Sequence, residues 1–65
     1  MNIIEIIDKK RYGECLSYDE LDFAFNGYLS GFIEDYQMSS LLMAICINGM
    51  TLEETVNLTD LMLKS

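Results

Sequence analysis

Gly27-Tyr28-Leu29-Ser30-Gly31-Phe32-Ile33-Glu34-Asp35-Tyr36-Gln37-Met38-Ser39-Ser40-Leu41-Leu42-Met43-Ala44-Ile45-Cys46-Ile47-Asn48-Gly49-Met50-Thr51-Leu52-Glu53-Glu54-Thr55-Val56-Asn57-Leu58-Thr59 is the stretch that decides the fold of this 65-residue chain. At its centre Leu41 to Ile47 is a run of seven apolar residues. Successive residues of a helix turn by about 100°, so such a run is apolar on every side. A helix apolar all round is normally buried all round, and three other short helices can cover only part of it. Asp35 is the expected N-cap of this third helix, which spans about 36–48 and stops before Gly49.

The flanking segments carry their own start and stop signals. Thr51 with Glu54 has the spacing of a capping box, opening a fourth helix over 52–64 with Leu52, Val56, Thr59, Met62 and Leu63 as its expected packing stripe. Upstream, Ser17 with Glu20 repeats that spacing and opens a second helix over 18–30. Its expected inward stripe is Leu21, Phe25, Tyr28 and Leu29, with Gly31 as its stop. Gly27 inside this helix costs about 1 kcal/mol against alanine, which a close approach of another helix would explain. The first helix spans 3–12, with Asn2 as N-cap, Gly13 at its end and Ile3, Ile4, Ile6 and Ile7 on a broad arc. Proline is absent and strand-like alternation is weak. The expectation is an all-α fold, a small orthogonal bundle of four short helices, forming a single helical domain over residues 1–65 with no linker or internal repeat.

Composition narrows the partners. The chain is 51% hydrophobic with a formal net charge of -7, a mean hydropathy of +0.17 and a pI near 4.1. A core of this size only just offsets the entropy of ordering the backbone, so spare apolar surface matters. Only four basic residues are present, too few to replace counterions along a phosphate backbone, which argues against nucleic acid and anionic membrane as partners. No apolar run approaches the roughly 18 residues needed to span a bilayer. The N-terminus also lacks the basic flank and cleavage site of a signal peptide. Cys15 and Cys46 have neither CxxC spacing nor a histidine beside them, so reduced thiols and a cytoplasmic location are expected.

The residues that carry chemistry elsewhere have structural readings. Asp19-Glu20 and Glu53-Glu54 lie in first helical turns, where the helix dipole favours negative charge, and read as caps rather than as an acid–base pair. Lys9-Lys10-Arg11 reads as cations at a helix C-terminus, with an anion contact as the sharper alternative. Met38, Met43, Met50 and Met62 read as core filler, Cys46 as a buried thiol and Cys15 as a loop residue. Tyr36 and Gln37 open helix three, where an anion would compete with Asp35 for the same N–H groups. No glycine-rich phosphate loop and no nucleophile–base pair is present, and histidine is lacking. The sequence therefore designates no catalytic, cofactor-binding or metal-binding residue.

Taken in order, Ile6-Ile7-Asp8-Lys9-Lys10-Arg11, Gly13, Leu16-Ser17 and Gly27 to Thr59 resemble the opening of pyrimidine-nucleoside and thymidine phosphorylases. Anthranilate phosphoribosyltransferase shares that helical fold, but Lys9-Lys10-Arg11 and Asp35-Tyr36-Gln37-Met38 look closer to the phosphorylases. The resemblance implies an enzyme that splits a pyrimidine nucleoside with inorganic phosphate into base and pentose 1-phosphate. It also implies that the catalytic residues belong to a large α/β domain not included in these residues. The helical domain of such enzymes supplies a homodimer interface through its first and third helices and closes the cleft. By that analogy the candidate interface residues are Ile3, Ile4, Ile7, Leu41, Met43, Ile45 and Ile47. Two departures stand out: Glu34 where the family usually has proline, and Asn48 where it often has a basic residue. A free-standing acidic four-helix module that binds another protein is the alternative reading. Leu42→Asp is expected to unfold or dissociate the domain by burying an unpaired carboxylate.

Overall fold

The computed structural model describes residues 1–64, and among them it contains four α-helices and no strand. Helix α1 is Ile3–Arg11, α2 Tyr18–Leu29, α3 Asp35–Asn48 and α4 Leu52–Lys64. The all-α bundle is as expected, with α1 and α2 one residue shorter at their C-termini and α3 starting one residue earlier.

Local hydrogen bonds explain these boundaries. The Glu5 N–H donates to Asn2 Oδ1 at 2.9 Å, capping α1. At α2 the Glu20 N–H donates to Ser17 Oγ at 3.2 Å and the Ser17 N–H to Glu20 Oε1 at 2.9 Å, completing the box. Both α1 and α2 end in a Schellman turn. Glu14 N–H returns to the Lys9 carbonyl and Phe32 N–H to the Gly27 carbonyl, across Gly13 and Gly31 at φ of 81° and 83°. The start of α3 departs from expectation. Glu34, not Asp35, is its N-cap, because Gln37 reaches back to accept the Glu34 N–H at 3.0 Å. Asp35 instead lies in the first turn, where its carboxylate accepts from the Tyr28 hydroxyl and holds that phenol above its ordinary pKa.

Helix α1 packs mainly against α3 and α2 against α4, while α2 also touches α1 and α3. The core is Ile3, Ile6 and Ile7 from α1, Leu16 before α2, Leu21 and Ala24 from α2, Ile33 before α3, Leu41 from α3 and Leu61 from α4. Tyr18, Phe23, Phe25, Met38 and Ile45 pack around it half-buried. In α2 the inward residues are thus Leu21, Ala24 and Phe25, whereas Tyr28 and Leu29 are exposed. The Schellman turn causes this: it carries the chain over the Gly27 side, so Ile33 rather than Leu29 closes that end.

Gly27 is explained by Ile33 and not by a neighbouring helix. A Cβ at Gly27 would stand 2.7 Å from Ile33 Cδ1 and 3.1 Å from its Cγ1. Ile33 is buried and cannot turn outward without leaving the core. Gly27→Ala gains about 1 kcal/mol of helix propensity, but the overlap should outweigh it and lower the melting temperature followed by circular dichroism. A higher melting temperature would show that Ile33 finds a second rotamer.

Candidate functional site

The surface between α1 and α3 is a groove of about 600 Å³. Ile4 and Arg11 from α1 line one wall and Tyr36, Met43 and Ile47 from α3 the other, with Ile7 among the lining residues. Tyr36, Met43 and Ile47 recur at steps of seven and four on one side of α3, while Leu41 and Ala44 point into the core. The packing of α1 on α3 thus uses a narrow strip of a helix that is apolar all round. Leu42, Met43 and Ile47 stay exposed.

The seven candidate interface residues divide accordingly. Ile4, Met43 and Ile47 are exposed and line the groove together. Ile3, Ile7 and Leu41 are buried within the chain's own core, and Ile45 packs half-buried against that core. Ile3, Ile7 and Leu41 thus belong to the core of a single copy and Ile45 to its edge, while Ile7 also lines the groove. Leu42 is also exposed, so Leu42→Asp should place its carboxylate in water rather than bury it, and the expected unfolding loses its ground. The methionine and thiol readings change as well. Met43 and Met62 are exposed rather than core filler, and Cys46 is exposed because it lies about 200° round the helix from buried Ala44.

The charged residues form a second constellation. Glu54 has no exposed side-chain surface, and its carboxylate accepts from Lys10 Nζ at 2.7 and 3.0 Å. It also accepts from the Leu16 N–H at 2.7 Å and the Thr51 N–H at 2.8 Å. One carboxylate therefore ties together the end of α1, the segment entering α2 and the start of α4. Burial pushes the Glu54 carboxyl up, but the Lys10 ammonium and the two backbone N–H groups outweigh it and hold its pKa below the ordinary value. The Thr51–Glu54 box is present as expected, completed by the Glu54 N–H donating to Thr51 Oγ1 at 3.1 Å.

The basic run is divided among internal tasks. Lys9 pairs with Glu20 at 2.8 Å, which raises the lysine's pKa, and Lys10 is buried against Glu54. Arg11 remains at the surface beside Asp8 at 3.6 Å. Asn48 takes on a role that sequence reasoning missed. Its amide donates to the Lys10 and Arg11 carbonyls at 2.9 and 3.1 Å, closing the C-terminus of α1 from α3. A cation at that position would have relieved the dipole of α3, whereas the amide caps a different helix.

Helix α4 also differs from expectation. Leu52, Val56, Thr59, Met62 and Leu63 are exposed, while Glu54 and Leu61 are buried and Asn57 and Leu58 half-buried. The sequence signal for this was Glu54 itself: a carboxylate committed to the capping box and to Lys10 fixes which side of the helix turns inward. Among the described residues, no group of three or more His, Cys, Asp or Glu side chains could hold a metal ion. No described helix is long and apolar enough to cross a membrane.

Comparison with known proteins agrees with this architecture. The helical bundle domain of a glycosyl transferase family matches residues 4–65. The chain is 48% identical over 65 residues to a pyrimidine-nucleoside phosphorylase of Geobacillus stearothermophilus and to one of Staphylococcus haemolyticus. It is 46% identical over the same length to the pyrimidine-nucleoside phosphorylase of Staphylococcus aureus. Each comparison covers 100% of this chain and 15% of the relative, so the chain spans a small part of the proteins it matches. With four capped helices observed and the family match running over nearly every residue, the chain belongs to the helical bundle domain of this glycosyl transferase family.

Proposed function

We propose that these residues are the helical domain of a pyrimidine-nucleoside phosphorylase, and that their role is assembly rather than chemistry. The enzyme would split a pyrimidine nucleoside with inorganic phosphate, using residues of an α/β domain outside this chain. The helical domain would pair two subunits through α1 and α3 and move as a unit to close the cleft. What carries the assembly reading is the groove in which Ile4, Met43 and Ile47 stand exposed together. Its charged residues, Asp8 and Arg11, have opposite signs and lie one turn apart. A second copy related by a two-fold axis can therefore meet the groove without a net clash of charge.

The test is Met43→Asp with Ile47→Asp. Both positions face water in a single copy, so helicity and melting of the monomer should hardly change. Across a two-fold interface the pair of substitutions places four carboxylates against apolar surface, and association should fall by a factor of a hundred or more, about 3 kcal/mol. Sedimentation at high protein concentration should show the unaltered chain as a dimer and the variant as a monomer. A monomeric unaltered chain, or a dimeric variant, would remove the groove from the assembly.

A further inference from the structure

Asn48 is the last residue of α3, and its amide supplies the hydrogen bonds that join α3 to α1, donating to the Lys10 carbonyl at 2.9 Å and the Arg11 carbonyl at 3.1 Å. Other polar side chains of α3 work elsewhere. Ser40 Oγ donates to the Tyr36 carbonyl and Gln37 accepts from the Glu34 N–H, both within the first turns, while Asp35 accepts from Tyr28 of α2. The core residues that α1 and α3 contribute, Ile3, Ile6, Ile7 and Leu41, are all apolar. Apolar packing of this kind does not fix how α3 is turned about its axis. Turning it by one residue, about 100°, would exchange the inward pair Leu41 and Ala44 for Leu42 and Ile45, which are just as apolar. On the groove the change would be large. The wall of Tyr36, Met43 and Ile47 would give way to Gln37, Ala44 and Asn48.

A hydrogen bond is directional where apolar contact is not, and one polar side chain between helices is enough to set their register. The Lys10 and Arg11 carbonyls stand at the C-terminal end of α1, where no further turn supplies them with donors. Asn48 meets both, and the residues next to these bonds, Arg11 and Ile47, line the groove. Resting on the reading of the groove as the contact between two copies, we infer that Asn48 is the positioning residue of that contact: its two bonds to α1 hold α3 at the turn that brings Met43 and Ile47 onto the groove. Asn48 itself is exposed, so water can replace its amide on the two carbonyls. Losing the amide therefore costs orientation more than stability.

The experiment compares three variants of the 65-residue chain. Asn48→Asp keeps the shape but has no N–H to donate, Asn48→Leu removes the donor without adding charge, and Asn48→Arg keeps donors and has no acceptor. Methyl NMR at low concentration, where one copy is observed, follows Ile4 and Met43 on the groove against Leu21 and Leu61 in the core. In the Asp and Leu variants the Ile4 and Met43 methyls should shift while those of Leu21 and Leu61 hold. In the Arg variant all four should stay where they are in the unaltered chain. Sedimentation, at a temperature where circular dichroism shows every variant folded, should find association weakened by about tenfold for Asp and Leu and unchanged for Arg. Unmoved groove methyls and unchanged association in the Leu variant would overturn the assignment, and so would an Arg variant that behaves like Leu. A monomeric unaltered chain would overturn the two-copy reading and not the orientation of α3, which the methyl positions decide by themselves.

Discussion

Lys10→Met should destabilise the domain by about 3–5 kcal/mol, because it leaves the Glu54 carboxylate buried without its cation. A domain of this size has a total stability of about 3–5 kcal/mol, so the variant should be largely unfolded at neutral pH. The magnitude follows from the geometry: Glu54 is 0% exposed and accepts from Lys10 Nζ at 2.7 Å, with no water to replace the ammonium. Replacing the pair by Lys10→Met with Glu54→Leu should not restore full stability either. The Leu16 and Thr51 N–H groups would then lose their acceptor, at about 1–3 kcal/mol for each buried donor. Thermal unfolding by circular dichroism measures both variants, and a melting temperature within two or three degrees of the unaltered chain would mean that solvent reaches the pair. The same group sets an acid limit. The folded Glu54 pKa lies below its ordinary value of 4.5, so its stabilisation is complete above that value and is lost as pH falls through the lower, folded pKa. Unfolding should set in on acidification below about pH 4.5.

Ile6→Ala is expected to cost about 2–5 kcal/mol, the range for removing a buried branched side chain and leaving a cavity. Ile6 is 0% exposed and lies among the residues through which α1 meets the rest of the core. A loss of that size consumes most of what a domain of this length possesses, so the helices should melt below body temperature. Ile4, two residues earlier, supplies the control. It is exposed, and Ile4→Ala should change monomer stability by no more than about 0.5 kcal/mol. It lines the groove, so its truncation should instead weaken self-association measured by sedimentation. Equal effects of the two alanines on melting would mean that the face of α1 assigned to the core is misplaced.

The caps were legible because each is a transaction between neighbours. Asn2 meets Glu5, Ser17 meets Glu20 and Thr51 meets Glu54, all three residues apart. The single displacement, Glu34 in place of Asp35 at the start of α3, also has a local cause, since Gln37 supplies the reciprocal acceptor that the Asp35 reading left out. Hydrophobic periodicity located the helices but did not orient them. In α4 the more apolar stripe, Leu52–Val56–Leu63, faces outward while Glu54 faces inward, against the usual sense of amphipathicity. In α2, Tyr28 and Leu29 lost their expected place to Ile33, which the Schellman turn brings back over Gly27. The exposed positions of Met43, Met62 and Cys46 follow from the same limit: composition says that a residue suits a core, not that the core has room for it.

By itself the sequence determined four helices, their ends within a residue, and the family, because capping, turn chemistry and helical period all act within a few residues. Only the tertiary structure decided which apolar residues are core and which are surface: Ile3, Ile7 and Leu41 inside, Ile4, Met43 and Ile47 on the groove, and the α4 row outside. It also decided that Lys10 and Glu54, 44 residues apart, share one buried site, and that Asn48 caps α1 from 38 residues away. The physical reason is common to both. A helix of uniform apolarity has no preferred side until its neighbours are in place, and a buried charge is tolerable only where its partner arrives from elsewhere in the chain.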